Sequence, residues 1–136
     1  MLLHIDDTWT VADVQDAFSR CFPGLRIAFC KKPQLHKEAT PCTTAIEGNQ
    51  RIGAIRKTNG AGYLEILSWY TVARLEKEFR EQFGLPVQVF RKERGMWIQT
   101  CNTDHFTLRQ HSEMAQQAPV AYSLKLKERR REYEYL

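Results

Sequence analysis

Apolar residues recur at three- and four-residue spacing in two separate stretches of the chain. The recurring positions are Val11, Val14, Phe18 and Phe22 in the first stretch, and Val72, Leu75, Phe79 and Phe83 in the second. This spacing places each set on one face of a helix, so both stretches predict amphipathic helices. A glycine follows each helix, at Gly24 and Gly84. A left-handed cap suits glycine at such a helix end.

A period of two replaces the helical period after each glycine. Apolar residues alternate with others at Leu25, Ile27 and Phe29, and again at Leu85, Val87 and Val89. Alternation of this kind predicts a strand with one buried face. Short apolar segments also precede both helices, so each stretch predicts a strand–helix–strand unit.

The two units match each other along the sequence. Thr10 corresponds to Thr71 at an offset of 61 residues, and Gly24 corresponds to Gly84 at an offset of 60. Two return strands are also expected. One spans residues 95–101 after a tight turn at residues 93–95, and the other spans residues 50–55 before a turn at residues 58–60. The sequence therefore predicts an α+β fold with two β-α-β-β repeats.

These units are expected to form one mixed or antiparallel sheet of about six strands, with helices mainly on one face and a further C-terminal helix. Three helices begin with the same pattern, namely Trp9-Thr10-Val11, Tyr70-Thr71-Val72 and Phe106-Thr107-Leu108. Threonine is a good N-cap residue, and Thr107 with Gln110 has the spacing of a capping box. His111 stands where the other two helices place an aliphatic partner for the preceding aromatic residue.

The composition fits one globular domain. The chain has 136 residues, of which 43% are hydrophobic and 26% are charged. These values predict a single domain over residues 1–122, with units at about 2–57 and 62–102, a helix at about 107–117, and a charged basic tail at 123–136. No apolar run approaches the roughly 18 residues of a membrane span. Early acids at Asp6 and Asp7 argue against a secretory signal, so a cytoplasmic location is expected.

The formal net charge of +4 raises the question of nucleic acid. Half of that excess lies in the last twelve residues, which contain Arg129, Arg130 and Arg131. Three more bases, Arg91, Lys92 and Arg94, flank a strand that carries Trp97. Packing of the C-terminal helix over Trp97 is the favoured interpretation of that residue. An exposed Trp97 beside these bases would instead resemble a stacking platform with phosphate contacts.

The cysteines and histidines offer a third kind of chemistry. No two of the four cysteines form a Cys-x-x-Cys pair, and Cys21 and Cys30 are expected to be reduced residues of the core. Cys101, His105 and His111 are close enough in sequence to suggest a metal- or thiol-dependent enzyme, although the spacing matches no established zinc pattern. We identify no catalytic residues and no cofactor from the sequence, and the balance leans against an enzyme.

A long polar segment over residues 33–50 separates the predicted strands of the first unit. Its counterpart in the second unit has three residues, so the first unit has been elaborated. This segment contains His36, Lys37 and Cys42, which are candidates for contact with a partner. The leading hypothesis is therefore a non-catalytic binding module that acts through protein–protein contacts, with a homodimer possible. Nucleic-acid binding and the metal- or thiol-dependent enzyme are the alternatives.

Part of the second unit resembles a known family. The segment Phe83–Lys92, the run Trp97-Ile98-Gln99-Thr100 and residues 103–108 are similar to a family of small bacterial α/β proteins with no established activity. The similarity spans roughly residues 62–112 and rests on residues that determine the fold. It implies a bacterial cytoplasmic α/β domain, and it carries over no substrate, partner or catalytic residue.

Overall fold

The computed structural model of the chain describes residues 1–31, 44–56 and 62–116. Over these ranges the fold is α+β, as the sequence predicts. The strands are β1 (Leu2–Ile5), β2 (Leu25–Phe29), β3 (Gly62–Glu65), β4 (Val87–Glu93) and β5 (Met96–Gln99). The helices are α1 (Val11–Cys21), α2 (Ile52–Ile55), α3 (Val72–Phe83) and α4 (108–116).

The strands form two antiparallel sheets within the described residues. One sheet pairs β1 with β3, and the other has the order β2-β4-β5. Leu3 lies opposite Leu64 in the first sheet, and Ala28 lies opposite Gln88 in the second. Each strand of the first unit therefore pairs with the corresponding strand of the second unit. We predicted a single sheet of about six strands, and the division into two sheets with five strands corrects that expectation.

One core is shared by the two units. The apolar faces of α1 and α3 are buried against the sheets, and Val14, Leu75, Phe18 and Phe79 have no exposed surface. Phe29 of β2 meets Phe79 of α3 edge-on, with 6.1 Å between the ring centroids. Side chains from both units belong to the same hydrophobic cluster. The helical periodicity of the sequence thus identifies the residues that hold the two units together.

The predicted return strand at residues 50–55 is wrong. Residues Ile52–Ile55 form a single helical turn, and β3 pairs with β1 rather than with this segment. The backbone N–H of Ile52 donates to the carbonyl of Trp9 at 2.7 Å, and that of Gly53 donates to Asp7 at 3.0 Å. These bonds dock the segment on the loop that precedes α1, so its amides are already satisfied without a sheet partner.

The same four backbone bonds occur in both units. Residues 7, 9, 11 and 12 bond to residues 48–53 in the same pattern in which residues 68, 70, 72 and 73 bond to residues 104–109. One example is the N–H of Val11 donating to Gln50 at 2.8 Å, matched by Val72 donating to Phe106 at 3.1 Å. The structural counterpart of α2 is therefore α4. The prediction that residues 50–55 correspond to β5 is therefore wrong.

The helix and hairpin ends follow the local sequence. Thr10 and Asp13 form a complete capping box at α1, and Thr71 accepts from the backbone of Arg74 at α3. Gly84 ends α3 with a positive φ of 62°. The β4–β5 hairpin turns through Arg94 and Gly95, both with positive φ, as a type I′ turn requires. In the described part of the chain, no helix has the length and apolar character to cross a membrane.

Candidate nucleic-acid interface

The three-stranded sheet has one buried face and one partly open face. The buried face carries Leu25, Ile27 and Val89, which pack into the core. We name four residues of the open face the platform: Arg26, Phe90, Lys92 and Trp97. Gln99 lies beside them on the same face, opposite Phe90. Arg26, Lys92 and Trp97 are exposed and Phe90 is half-buried. Strand alternation places these side chains on the side away from the helices.

Strand pairing makes the platform contiguous. Arg26 lies opposite Phe90 across the β2–β4 pair, and Lys92 lies opposite Trp97 across the β4–β5 pair. Phe90 and Lys92 are two residues apart on β4, so they share its face. The ammonium of Lys92 lies 5.9 Å from the centre of the Trp97 ring. Two aromatic rings and two cations therefore alternate in one block.

The boundaries of the platform are also defined. Ala28 and Gln88, in the next row of the sheet, are buried, so the open part of the face ends there. Glu93 points to the opposite face, where it pairs with Arg91. Among the described residues of these three strands, the open face has cations and no acid. A negatively charged ligand with flat groups suits this surface.

The hairpin turn determines which side chains of β5 reach the platform. Because the turn has only two residues, Met96 lies opposite Glu93 and Trp97 lies opposite Lys92. Met96, which is 69% exposed, therefore faces the other way from Trp97, which is 40% exposed. The expectation that the C-terminal helix buries Trp97 is wrong, because α4 packs near Arg91 on the opposite face.

Arg91 does not belong to the basic surface predicted around it. One guanidinium nitrogen contacts the Nδ1 atom of His111 at 2.9 Å, and the other donates to Glu93 at 3.0 Å. Its side chain is only 13% exposed. The alternation of β4 places Arg91 and Lys92 on opposite faces. Arg91 therefore joins α4 to the sheet and is withdrawn from any ligand on the platform.

His111 is a buried structural residue. Its ring is fully buried, and its Nε2 atom lies 2.8 Å from the carbonyl of Thr103. Since Arg91 can only donate, Nδ1 accepts and Nε2–H donates to Thr103, which defines the neutral ring. Burial, followed by the nearby charge of Arg91, lowers the pKa of His111 below its ordinary value of 6.5. The hydrogen bond to Thr103 opposes this shift and does not reverse it.

The predicted metal ligands do not form a common site. His105 is exposed and stacks on Phe106, with 4.4 Å between ring centroids, whereas both ring nitrogens of His111 are engaged in the interior. Cys101 is a half-buried free thiol. Within residues 1–31, 44–56 and 62–116, no group of three His, Cys, Asp or Glu side chains converges to hold a metal ion.

The two cysteines expected in a reduced core differ from that expectation in opposite ways. Cys30 is buried, with 4% exposed surface, but it is disulfide-bonded. Cys21 is a free thiol, but it is exposed at the end of α1. Helical spacing places Cys21 near the edge of the apolar face. It is also the last residue of α1, and core side chains do not cover it. The oxidised Cys30 is unusual for the cytoplasmic protein that the sequence predicts.

Several predicted site residues lie outside the described parts of the chain. They are His36, Lys37 and Cys42 in the long segment, and Arg129, Arg130 and Arg131 in the tail. Arg94 lies in the hairpin turn beside the platform and has interactions of its own. The sequence reasoning missed Arg26 and Phe90. Alternation along β2 and β4 was the available signal, but it needed the pairing of these two strands to bring the residues together.

A second open surface lies on the two-stranded sheet. Leu2 is 66% exposed and Tyr63 is 64% exposed on the face of β1 and β3 that points away from the core. His4, between them, stacks on Tyr63 with 4.6 Å between ring centroids, and Trp9 meets His4 edge-on at 6.3 Å. Glu65 lies opposite Leu2 and is exposed on the same face, so this surface carries an acid where the platform carries cations.

Comparison of the chain with protein-family models, with curated proteins and with solved structures found no match.

Proposed function

We propose that the protein is a non-catalytic module that binds single-stranded nucleic acid on the platform. The observation that carries this proposal is the exposed Trp97 with Lys92 beside its ring, next to Phe90 and Arg26. Among the described residues of the three strands, this open face has no acid. Bases present flat faces that stack on aromatic side chains, and phosphates seek nearby cations. The platform offers both groups in alternation.

A single strand fits this surface better than a duplex. The aromatic rings stand on a sheet face, where a base can stack only if it is not already stacked on both sides by its neighbours. The cations lie within the same block, so a backbone that follows the strand β4 can reach them while its bases contact the rings. Four residues give a short binding site of a few nucleotides and modest affinity.

The proposal is tested with fluorescently labelled ten-nucleotide oligo(dT) and oligo(U), by fluorescence anisotropy at low salt. We expect Trp97→Ala to weaken binding by roughly tenfold, because stacking of one base on an aromatic side chain contributes about 1–3 kcal/mol. Met96→Ala is the matched control, since Met96 is the exposed neighbour on the opposite side of β5. Absence of binding, or equal losses in the two variants, contradicts the proposal.

The cations are tested by salt dependence. Arg26→Gln and Lys92→Gln should each reduce the slope of log affinity against log salt by about 0.7, which is the value for one phosphate contact on a single strand. Lys77→Gln, an exposed base on α3, provides the control and should leave the slope unchanged. A slope that responds equally to all three substitutions would assign the binding to net charge alone.

Protein–protein contact remains a second proposal, favoured by a different surface. Two large apolar side chains, Leu2 and Tyr63, stand on the open face of a sheet that has two strands in the described part of the chain. A second copy of the chain that packs face to face would bury both. Light scattering over a concentration series tests this, with Leu2→Ser and Tyr63→Ser together expected to abolish the dimer and Met96→Ser as control. A strictly monomeric parent protein would contradict it.

We also propose that the two units are copies of one ancestral segment. The supporting observations are the offset of about 61 residues, the matched backbone bonds and the equal burial of Phe18 and Phe79. The platform breaks this correspondence, because β5 has no counterpart among the described residues of the first unit. The presence of β5, with Trp97, in the second unit is expected if binding was added to an existing scaffold.

A further inference from the structure

A pocket of about 260 Å³ lies where α3 ends, away from the platform. Apolar side chains from three elements line it: Phe29 of β2, Ile55 of α2 and Leu85 in the loop after α3. Ile46 completes the wall and is fixed there, because its backbone N–H donates to the carbonyl of Phe29 at 2.7 Å. The floor is part of the hydrophobic core, so its shape is maintained by the fold itself.

Two cations stand at this apolar pocket. Lys31 and Arg80 belong to its lining, and neither makes an ion pair with any residue of the described ranges. Among the described residues that line the pocket, none carries a carboxylate. An adjoining, more polar space shares Lys31, Ile46 and Ile55 and adds Glu47 and Gln50. Within the described ranges, the nearby acid Glu47 therefore belongs to the outer space and not to the apolar pocket.

We propose that this pocket binds a small amphipathic carboxylate, with its chain against Phe29, Ile55 and Leu85 and its carboxylate between Lys31 and Arg80. Apolar walls with a few convergent charged groups are the usual composition of small-ligand sites. A cavity of about 260 Å³ limits the ligand to roughly ten heavy atoms, because typical drug-sized ligands need roughly 300–1,000 Å³. The inference does not depend on nucleic-acid binding.

The probe for this proposal is octanoate, measured by isothermal titration calorimetry with the full chain. Octanol has the same chain length without the charge and serves as the matched ligand control. We expect octanoate to bind at least fivefold more tightly than octanol, because only the carboxylate engages the two cations. Shortening the ligand to hexanoate should weaken binding by roughly tenfold, as two methylenes leave the apolar wall.

Variants assign the binding to the pocket. Lys31→Gln and Arg80→Gln should each weaken octanoate binding by about fivefold and leave octanol unaffected. Lys77→Gln, on the same helix as Arg80 but exposed to solvent, should change neither ligand. Ile55→Trp fills the pocket and should abolish binding of both ligands, with circular dichroism used to confirm that the variant is folded.

The results that overturn the proposal are equally specific. Octanoate that does not bind, octanol that binds as tightly, or binding that survives Ile55→Trp would each remove it. Trp97→Ala should leave octanoate binding unchanged, because Trp97 lies on the open face of the three-stranded sheet and does not line the pocket. Failure of the nucleic-acid proposal would thus be visible in the Trp97 variant, and failure of the pocket proposal in the Ile55 variant.

Discussion

The role of a glycine depends on what its missing side chain would meet. Gly24 and Gly95 both have positive φ, at 82° and 77°. A Cβ atom on Gly24 would stand 2.5 Å from the Cβ of Ala115 in α4, whereas one on Gly95 would have open space around it. A substitution at Gly95 therefore tests backbone strain alone, whereas one at Gly24 tests the same strain together with a close contact to α4.

We expect Gly95→Ala to lower the free energy of unfolding by about 1 kcal/mol, which is the strain of the left-handed conformation alone. Gly24→Ala should cost about 2–4 kcal/mol, because overpacking against α4 adds to the same strain. Urea unfolding measures both. Combining Gly24→Ala with Ala115→Gly should recover part of the loss. If Gly24→Ala and Gly95→Ala lower the free energy of unfolding equally, α4 moves to make room for the added Cβ and the prediction of overpacking is wrong.

The buried ring of His111 makes stability depend on pH. Its pKa is lowered in the folded protein. Below pH 6.5 the ring is therefore protonated in the unfolded chain while it is still neutral in the folded chain. The free energy of unfolding should therefore be at its full value above pH 6.5 and decrease as the pH falls toward the lowered pKa.

Urea unfolding between about pH 8 and about pH 5.5 measures this decrease. His111→Gln removes the titrating group and should flatten the dependence, while His105→Gln, at an exposed ring, should preserve it. A parent protein whose stability is constant over this range would contradict a neutral, buried His111.

Helix ends are determined within single elements. At α1 the N–H of Asp13 donates to Thr10 at 3.2 Å, and the N–H of Thr10 donates to the carboxylate of Asp13 at 2.9 Å. At α3 only one of these bonds is present, from the N–H of Arg74 to Thr71 at 3.1 Å. The sequence predicts both N-caps because the threonine hydroxyl accepts from a backbone N–H three residues later. This bond forms within the helix end and needs no residue distant in sequence.

Removing the caps should be measurable by urea unfolding. Thr10→Ala and Thr71→Ala should each lower the free energy of unfolding by about 1 kcal/mol. Asp13→Ala should lower it by a few tenths to about 1 kcal/mol, because it removes the second bond of the capping box, which α3 does not have. Asp16→Ala is the control, since it removes an exposed carboxylate from the same helix without touching the cap. A comparable loss for Asp16 would attribute the effect to charge rather than capping.

The whole molecule should unfold in one step. Buried side chains from both units form a single cluster, and each strand of one unit pairs with a strand of the other. Neither unit retains a closed core without its counterpart. Independent unfolding of the two halves is therefore not expected, in spite of the correspondence between them.

Two conservative substitutions test this cooperation. Phe18→Leu in α1 and Phe79→Leu in α3 should each cost about 1–2 kcal/mol, because both rings are fully buried in the shared core. Both variants should shift the same single transition, monitored by circular dichroism and by tryptophan fluorescence. Met96→Ala, at a largely exposed position, should remain within about 0.5 kcal/mol of the parent. Two separate transitions would contradict one core.

The sequence by itself determined the α+β class, the positions of α1 and α3, their threonine caps and the β4–β5 hairpin. Each of these depends on periodicity or on groups a few residues apart, so the information is local. The tertiary structure decided that residues 52–55 form a helix, because the loop before α1 satisfies their amides. It also decided that Arg91 turns inward while Lys92 joins Arg26 on the platform, since a face is defined only when strands distant in sequence pair.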